Sequence, residues 1–435
     1  MVLFRMPPKR FYIETFGCQM NLHDSEKIKG VLCREGHIPV DNAVDSDLIV
    51  FNTCSIRQKA EQKFFSELGR IRKLKRKNPD LRIAVVGCIA QQQGRGIFKR
   101  APYVDYVVGP QNIHLLHGLI GGDVAAASTE DNPDLAQVDL PVLREGAGRA
   151  WVSIMYGCNN FCSYCVVPYT RGPEKSRPAE NILGEISGIA AQGYKEVTLL
   201  GQNVNSYQSS LDFSGLLERA NEIKGLERIR FVTSHPRDLS GGLVSAMERL
   251  SKVCEHMHLP LQSGSDTVLR RMNRGYTFGE YRERVRSLRS KVPGIAVTTD
   301  IITGFPGESE QDHQETVAAL KELEFDGIFA FKYSPRSGTR AALMDCQVSD
   351  EIKSERLTEL LEIQDGITVN LNNKLEHTVQ EILVEGPSET EGKIMTGRTR
   401  ANKIVNFEGD ESLVGSICTV RIVKTRKHSL DGILQ

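Results

Sequence analysis

Residues 151–165 read Trp151-Val152-Ser153-Ile154-Met155-Tyr156-Gly157-Cys158-Asn159-Asn160-Phe161-Cys162-Ser163-Tyr164-Cys165. An apolar, strand-like run leads straight into three thiols spaced C-x3-C-x2-C. Three thiolates hold three irons of a [4Fe–4S] cluster and leave the fourth iron open. An open metal position is a chemical site, by the logic that separates catalytic from structural zinc. A structural zinc site or a redox pair is the alternative, but zinc favours paired ligand spacings and no second Cys-x2-Cys or His-x3-His stands nearby. Downstream, strand and helix patterns alternate. Candidate strands begin near Val152, Glu196, Ile229, Cys254, Ile295 and Gly327, with helical patterns near 180–192, 213–223, 238–250, 277–291 and 309–323. Six such units predict an α/β fold, either a partial (β/α)6 TIM-like barrel or an open, curved sheet. A helix near 350–371, with Leu357, Leu360, Leu361 and Ile367 on one face, ends this part.

Upstream, apolar runs at 11–13, 47–51, 82–86 and 104–108 alternate with helical patterns such as 25–34 and 57–74. That alternation predicts a Rossmann-like parallel α/β domain. Cys18, Cys54 and Cys88 each terminate one of its predicted strands. They are 36 and 34 residues apart (54−18 and 88−54), too far for a local metal motif. In a parallel sheet, however, the carboxyl ends of the strands share one edge, so three units deliver three thiols to one place. Gly17 and Gly87 permit close backbone approach beside them. Taken singly, each is a buried small apolar residue; three at equivalent positions favour a second cluster with its own open iron. Cys33, Cys254, Cys346 and Cys418 have no such company and read as packing residues. Residues 121–150 carry six acids against two bases and read as a linker with little core. After about residue 371 the period changes: 378–384, 403–407 and 416–423 are short strands with no helix between them, a small antiparallel β-barrel. The expected domains are 1–120, 121–150 as linker, 151–371 and 372–435.

The chain has 435 residues, with 55 Lys+Arg balancing 55 Asp+Glu. Neutrality excludes a histone-like coat but not a local basic patch. Hydrophobic content of 40% and charged content of 25% belong to a globular chain rather than a disordered one. No apolar run is long enough to span a membrane, and the first residues lack a secretory core. Ten cysteines are too sparse for a disulfide-stapled secreted fold. The expected location is the reducing cytoplasm, where clustered thiols are ligands or nucleophiles.

Several stretches closely resemble signatures of the radical-SAM methylthiotransferase family. They are Glu14-Thr15-Phe16-Gly17-Cys18-Gln19-Met20-Asn21, Asn52-Thr53-Cys54-Ser55-Ile56-Arg57, Gly157 to Gly172, His258-Leu259-Pro260-Leu261-Gln262-Ser263-Gly264-Ser265 and Gly304-Phe305-Pro306-Gly307-Glu308. The resemblance covers nearly the whole chain outside the 121–150 linker, with no departure at the six ligand positions. It implies that Cys158, Cys162 and Cys165, with Tyr164 before the last thiol, hold a [4Fe–4S] cluster that binds S-adenosylmethionine (SAM). It implies an auxiliary [4Fe–4S] cluster on Cys18, Cys54 and Cys88, and a C-terminal TRAM domain that binds RNA. The implied activity is insertion of a methylthio group at C2 of N6-isopentenyladenosine beside the anticodon of a tRNA. The near alternatives are N6-threonylcarbamoyladenosine in tRNA or a ribosomal-protein aspartate as substrate. An alternative of another class is a non-catalytic metal-bound RNA-binding protein. The implied partners are the tRNA anticodon stem-loop and an external one-electron donor, with no membrane and a monomeric chain.

Gly201, Gln202 and Asn203 follow the second barrel strand, and Gly304 follows the fifth. They are expected to touch SAM or shape its pocket, with plain turn glycines as the simpler account; Gln262 and Asp300, at strand ends, are weaker candidates. Gln19 and Asn21, just past Cys18, are candidate substrate contacts, although turn chemistry explains them equally well. Arg398 and Phe407 are candidate base-stacking residues, and equally a salt bridge or core. Basic runs at 68–77, 270–291 and 393–427 favour a nucleic-acid partner over solvated faces alone. His256 and His258 alternate on one strand face and read first as structural.

Overall fold

The computed structural model describes residues 8–55, 58–120, 122, 124–388 and 394–435. Ile56 and Arg57 of the second quoted signature, and Lys393 of the last basic run, lie outside these. The chain divides into two compact units. The first comprises 1–145 together with Tyr156–Asn159 and Cys165–Lys175; the second comprises Gly146–Met155, Asn160–Tyr164 and Ser176–Gln435. The cysteine loop is therefore shared between them, which no sequence pattern announced.

The first unit is a parallel sheet of β1 (Arg10–Thr15), β2 (Ile38–Pro39), β3 (Leu48–Thr53), β4 (Arg82–Gly87), β5 (Tyr106–Val108) and β6 (Ala126–Ser128), ordered β2-β1-β3-β4-β5-β6. Its centre, β3 and β4, is a continuous apolar run buried on both faces, as a sheet covered by helices on both sides requires. Helix α1 (Gln19–Arg34) lays Ile28 and Leu32 on one face, against Phe11, Leu48 and Val50. Helix α2 (Gln58–Lys77) lays Phe64, Leu68 and Ile71 on the other, against Ile49, Phe51 and Ile83. The chain thus winds in opposite senses from β1 and β3, and the crevice between their carboxyl ends is the topological switch point where such sheets bind ligands. One expectation needs correcting. The 121–150 segment, read as a linker, contributes β6, because Ala126–Ser128 pairs in register with Tyr106–Val108. Its alanine-rich acidic composition hid a three-residue edge strand.

In the second unit β7 (Arg149–Ser153) opens a parallel series, and two short strands, β8 (Met155–Tyr156) and β9 (Lys175–Ser176), bracket the cysteine loop along the chain. The series continues with β10 (Glu196–Leu200), β11 (Arg228–Phe231), β12 (His256–His258), β13 (Ala296–Thr303) and β14 (Gly327–Lys332). Strands β7, β10 and β11 form one run and β12, β13 and β14 another, joined by a single parallel bridge between Ile229 and Val253. Helices Ala179–Ala191, Phe213–Asn221, Gly241–Arg249, Phe278–Lys291 and Glu310–Leu323 intervene and share one apolar core with the strands. This is the expected (β/α)6 series. Helix Asp350–Asn373 then leads to a closed barrel of β15 (Val379–Pro387), β16 (Ile394–Thr399), β17 (Ile404–Glu408), β18 (Ile417–Thr425) and β19 (Leu430–Leu434). The barrel is not wholly antiparallel: β17 and β19 pair in parallel, because β18 reverses the chain before β19 closes the ring. Phe407 is buried at its centre, so it is core and cannot stack on a base.

Candidate active site

At the switch point of the first unit each thiol stands where a strand gives way to the next element. Gly17 (φ +131°) precedes Cys18, the N-cap of α1, and Gly87 (φ +95°) precedes Cys88, the first residue of helix α3 (Cys88–Gln93). The glycines are needed sterically. A Cβ on Gly17 would stand 2.4 Å from Cys54 Cβ, and one on Gly87 would stand 2.5 Å from the Thr53 carbonyl oxygen. We expect Gly87→Ala to cost about 1–3 kcal/mol through backbone strain alone. Urea unfolding of the metal-free chain measures it; an unchanged midpoint would refute the steric account.

Buried amides lock the crevice. Asn21 Nδ2 donates to Asn52 Oδ1 (3.2 Å) and to the Thr53 carbonyl (2.9 Å), while Asn52 Nδ2 donates to the Asn21 carbonyl (2.7 Å) and to Ser25 Oγ (2.9 Å). The Cys18 thiol donates to Asn21 Oδ1 at 3.3 Å. Asn21, a candidate substrate contact, is instead a fully buried brace between strand ends; Gln19 beside it is exposed. The Cys18 thiol is pulled down to about 6 by a hydrogen bond from Cys54, with help from Arg171 and the first amides of α1, against the effect of burial. Burial pushes the Cys88 thiol up, and Arg171 opposes it. Arg171 itself is buried, with Nη2 donating to Asp24 Oδ2 at 2.7 Å. Among the described residues no three His, Cys, Asp or Glu side chains stand close enough to share a single ion. A cubane, in which each thiolate takes its own iron, does not require that.

In the second unit the carboxyl ends of the strands carry polar atoms that are buried without a protein partner among the described residues. They are Asn203 Oδ1 after β10, His235 Nε2 after β11, Gln262 Oε1 after β12, Thr303 Oγ1 in β13 and Tyr333 OH after β14. Buried polar atoms are normally satisfied. Five orphans, one at each of five successive strand ends, mark a cradle for a polar ligand on the face where (β/α) enzymes bind theirs. Gln262 is held there in a left-handed conformation (φ +75°) by a bridge to Ile301. Burial, then Arg274, Arg237 and Arg284, drive His235 down to about 2. Its Nδ1 accepts the Arg237 amide hydrogen (3.3 Å), which leaves the ring proton on Nε2. Cys162 is buried and its Sγ accepts from Arg274 Nη1 at 3.1 Å; Tyr164 OH accepts from the same nitrogen at 3.4 Å.

Three comparisons bear on this geometry. The model of an uncharacterised protein family, UPF0004, matches residues 10–109, that of the radical SAM superfamily matches 152–320, and that of the TRAM domain matches 373–434. A tRNA-2-methylthio-N(6)-dimethylallyladenosine synthase of Thermodesulfovibrio yellowstonii is 54% identical over 98% of this chain and 99% of its own. One of the same name from Carboxydothermus hydrogenoformans is 46% identical over 99% of this chain and 100% of its own. The chain belongs to the family of these synthases. Among solved structures, the radical SAM methyltransferase TsrM of Kitasatospora setae, with cobalamin and a [4Fe–4S] cluster bound, shares the fold at TM-score 0.58. It covers 77% of each chain at 15% identity.

For a radical SAM family member the orphaned strand-end atoms and the buried thiols fit a [4Fe–4S] cluster with SAM. Other expected contacts are committed within the protein. Asn203 Nδ2 donates to Asp238 Oδ2 (2.7 Å), which leaves its Oδ1 free. The Gly304 amide donates to Glu308 Oε1 (2.9 Å), and a Cβ on Gly201 would meet Met155 Cγ at 2.6 Å, so both glycines shape turns. Asp300 Oδ2 lies 3.4 Å from His258 Nε2, and Thr298 Oγ1 sits between His258 and His256. Arg398 is held by both oxygens of Glu385 (3.0 and 3.1 Å), which removes it as a free stacking group. Nearby, Arg400 pairs with Glu255, Lys403 with Asp326 and Arg426 with Asp431, so much of the last basic run is neutralised inside the protein. Sequence reasoning missed His235, Arg171 and Arg274. His235 follows a strand end as Gln262 does and the same rule would have found it; Arg274 was counted only as charge, and Arg171 was read only as part of the Gly157 to Gly172 signature.

Proposed function

We propose that the chain inserts a methylthio group at C2 of N6-dimethylallyladenosine beside the anticodon of tRNA. In this reading one [4Fe–4S] cluster rests on Cys158, Cys162 and Cys165, and an auxiliary one on Cys18, Cys54 and Cys88. The pair of thiol trios carries the reading: one trio suffices for SAM cleavage, and a second, gathered at a ligand-binding sheet edge, is what sulfur insertion adds. The target bond calls for this equipment. An adenine C2–H is aromatic and not acidic, so a general base cannot usefully remove it. When bound, SAM and the clusters supply a one-electron route for removing that hydrogen and the sulfur that replaces it.

The chain's own residues hold and orient. Cys158, Cys162 and Cys165 would hold the cluster that binds SAM. Asn203 Oδ1, His235 Nε2, Gln262 Oε1 and Thr303 Oγ1, buried and unpartnered among the described residues, would receive the polar groups of SAM. Because His235 stays neutral at working pH, Nε2 acts as a donor. The TRAM barrel grips the RNA backbone, and the prenylated base, in a single-stranded loop, is one that a protein can splay into a pocket. We assign 1–120 to the auxiliary cluster, 151–371 to SAM chemistry and 372–435 to RNA, with an external one-electron donor in the cytoplasm. The test is mass spectrometry of nucleosides from prenylated tRNA incubated anaerobically with reconstituted chain, SAM and reductant. Replacement of one hydrogen by SCH3 on the prenylated adenosine is expected. Product only from threonylcarbamoyl-tRNA or a ribosomal protein, or bound zinc without SAM turnover, would overturn the assignment.

A further inference from the structure

Two arginines are buried with cluster thiols as neighbours, one in each unit. In the first unit Arg171, six residues past Cys165, is buried and donates to Asp24 at 2.7 Å, and its charge bears on Cys88 and Cys18. In the second, Arg274 Nη1 donates to Cys162 Sγ (3.1 Å), Nη2 to the Pro260 carbonyl (3.0 Å) and Nε to Tyr276 OH (3.0 Å). A buried guanidinium without a counter-charge is costly. Arg171 has Asp24, but among the described residues no carboxylate pairs with Arg274. The group that faces Arg274 Nη1 is the Cys162 sulfur, at 3.1 Å. Its natural counter-charge is therefore the thiolate-bound centre itself.

We propose that Arg171 and Arg274 are positioning residues that raise the reduction potential of the auxiliary and the SAM cluster respectively, each acting on its own trio. A cation donating to a ligand sulfur favours the more negative, reduced state when one electron enters from an external reductant. The proposal rests on the two-cluster reading above.

The test uses full-length chains reconstituted anaerobically, with iron analysis and electron paramagnetic resonance followed during a reductive titration. Arg274→Gln and Arg274→Lys are titrated in a chain lacking Cys18, Cys54 and Cys88, and Arg171→Gln and Arg171→Lys in a chain lacking Cys158, Cys162 and Cys165. Each glutamine variant should hold at least tenfold less reduced cluster at a fixed potential, a midpoint about 59 mV more negative for one electron. Each lysine variant should recover most of that shift. Arg171→Gln placed in the SAM-cluster background, and Arg274→Gln in the auxiliary background, should leave the midpoint alone. Unchanged midpoints, lysine variants that behave like glutamine, or shifts of both clusters by either arginine overturn the proposal. Should a glutamine variant lose iron, rescue by lysine supports the charge requirement and equal loss refutes it. Absence of an auxiliary cluster from the unsubstituted chain would instead sink the two-cluster reading, with the Arg274 arm still decided on its own.

Discussion

A chain carrying Cys158→Ala cleaves no SAM and forms no methylthio product, whereas Cys18→Ala still cleaves SAM and forms none. The first loss follows from the proposed assignment of Cys158 to the SAM-binding cluster, which two thiolates would not hold in place. The second follows from the proposed division of labour between the trios. Both substitutions are structurally mild, so the contrast is chemical. Cys18 caps α1 without a side-chain cap hydrogen bond, and its thiol donates to Asn21 Oδ1 at 3.3 Å, a contact that does not tie strand to helix. Cys158 is fixed through its backbone, its amide donating to the Gly172 carbonyl at 3.1 Å, and alanine keeps that bond. The readouts are 5′-deoxyadenosine formed under reductant without tRNA and methylthio-nucleoside formed with it. Equal loss of SAM cleavage in both variants would contradict separate roles for the two trios.

The three thiols of the first unit were legible because strand ends are legible. Phe51, Val85 and Val86 belong to apolar runs with one possible reading, and the residue after each run inherits its place at the sheet edge. The same rule put Gln262 at a strand end, where its Oε1 is buried without a partner among the described residues. It failed where side chains reach across sequence. Asn21 looked like a loop residue free to meet substrate, but burial obliges its amide to satisfy Asn52 and Thr53. Arg274 belongs to a run of bases that reads as a solvated or RNA-facing helix, yet it alone turns inward to Cys162. Arg398 and Arg400 looked like an RNA grip and are held by Glu385 and Glu255. Sequence counts charges; only tertiary structure shows which are already paired.

That pairing yields the second large effect. Glu196, the first residue of β10, is 1% exposed, and Oε2 accepts from Arg230 Nε at 2.9 Å, with Arg228 Nη1 at 3.8 Å. Both arginines go on to seat the TRAM barrel at the amino ends of the strands. Arg228 reaches Glu381 (2.8 Å) and the Arg398 carbonyl (2.9 Å), and Arg230 reaches the Thr399 and Arg400 carbonyls (2.6 and 2.8 Å). Glu196→Ala takes the paired carboxylate from the buried Arg230 guanidinium, while Arg228 keeps Glu381, a loss of about 3–5 kcal/mol by comparison with broken buried pairs. An exposed pair would cost under about 1 kcal/mol, so urea unfolding followed through the single tryptophan, Trp151 of β7, discriminates the two cases. Glu196→Gln, which keeps a hydrogen bond but not the charge, should fall between. Because the strand-end cradle proposed for SAM lies at the opposite ends of the same strands, a folded Glu196 variant should keep its tRNA-independent SAM cleavage while its KM for tRNA rises. A fall in SAM cleavage at unchanged KM would show that the ion pairs brace the cradle rather than the RNA-binding barrel.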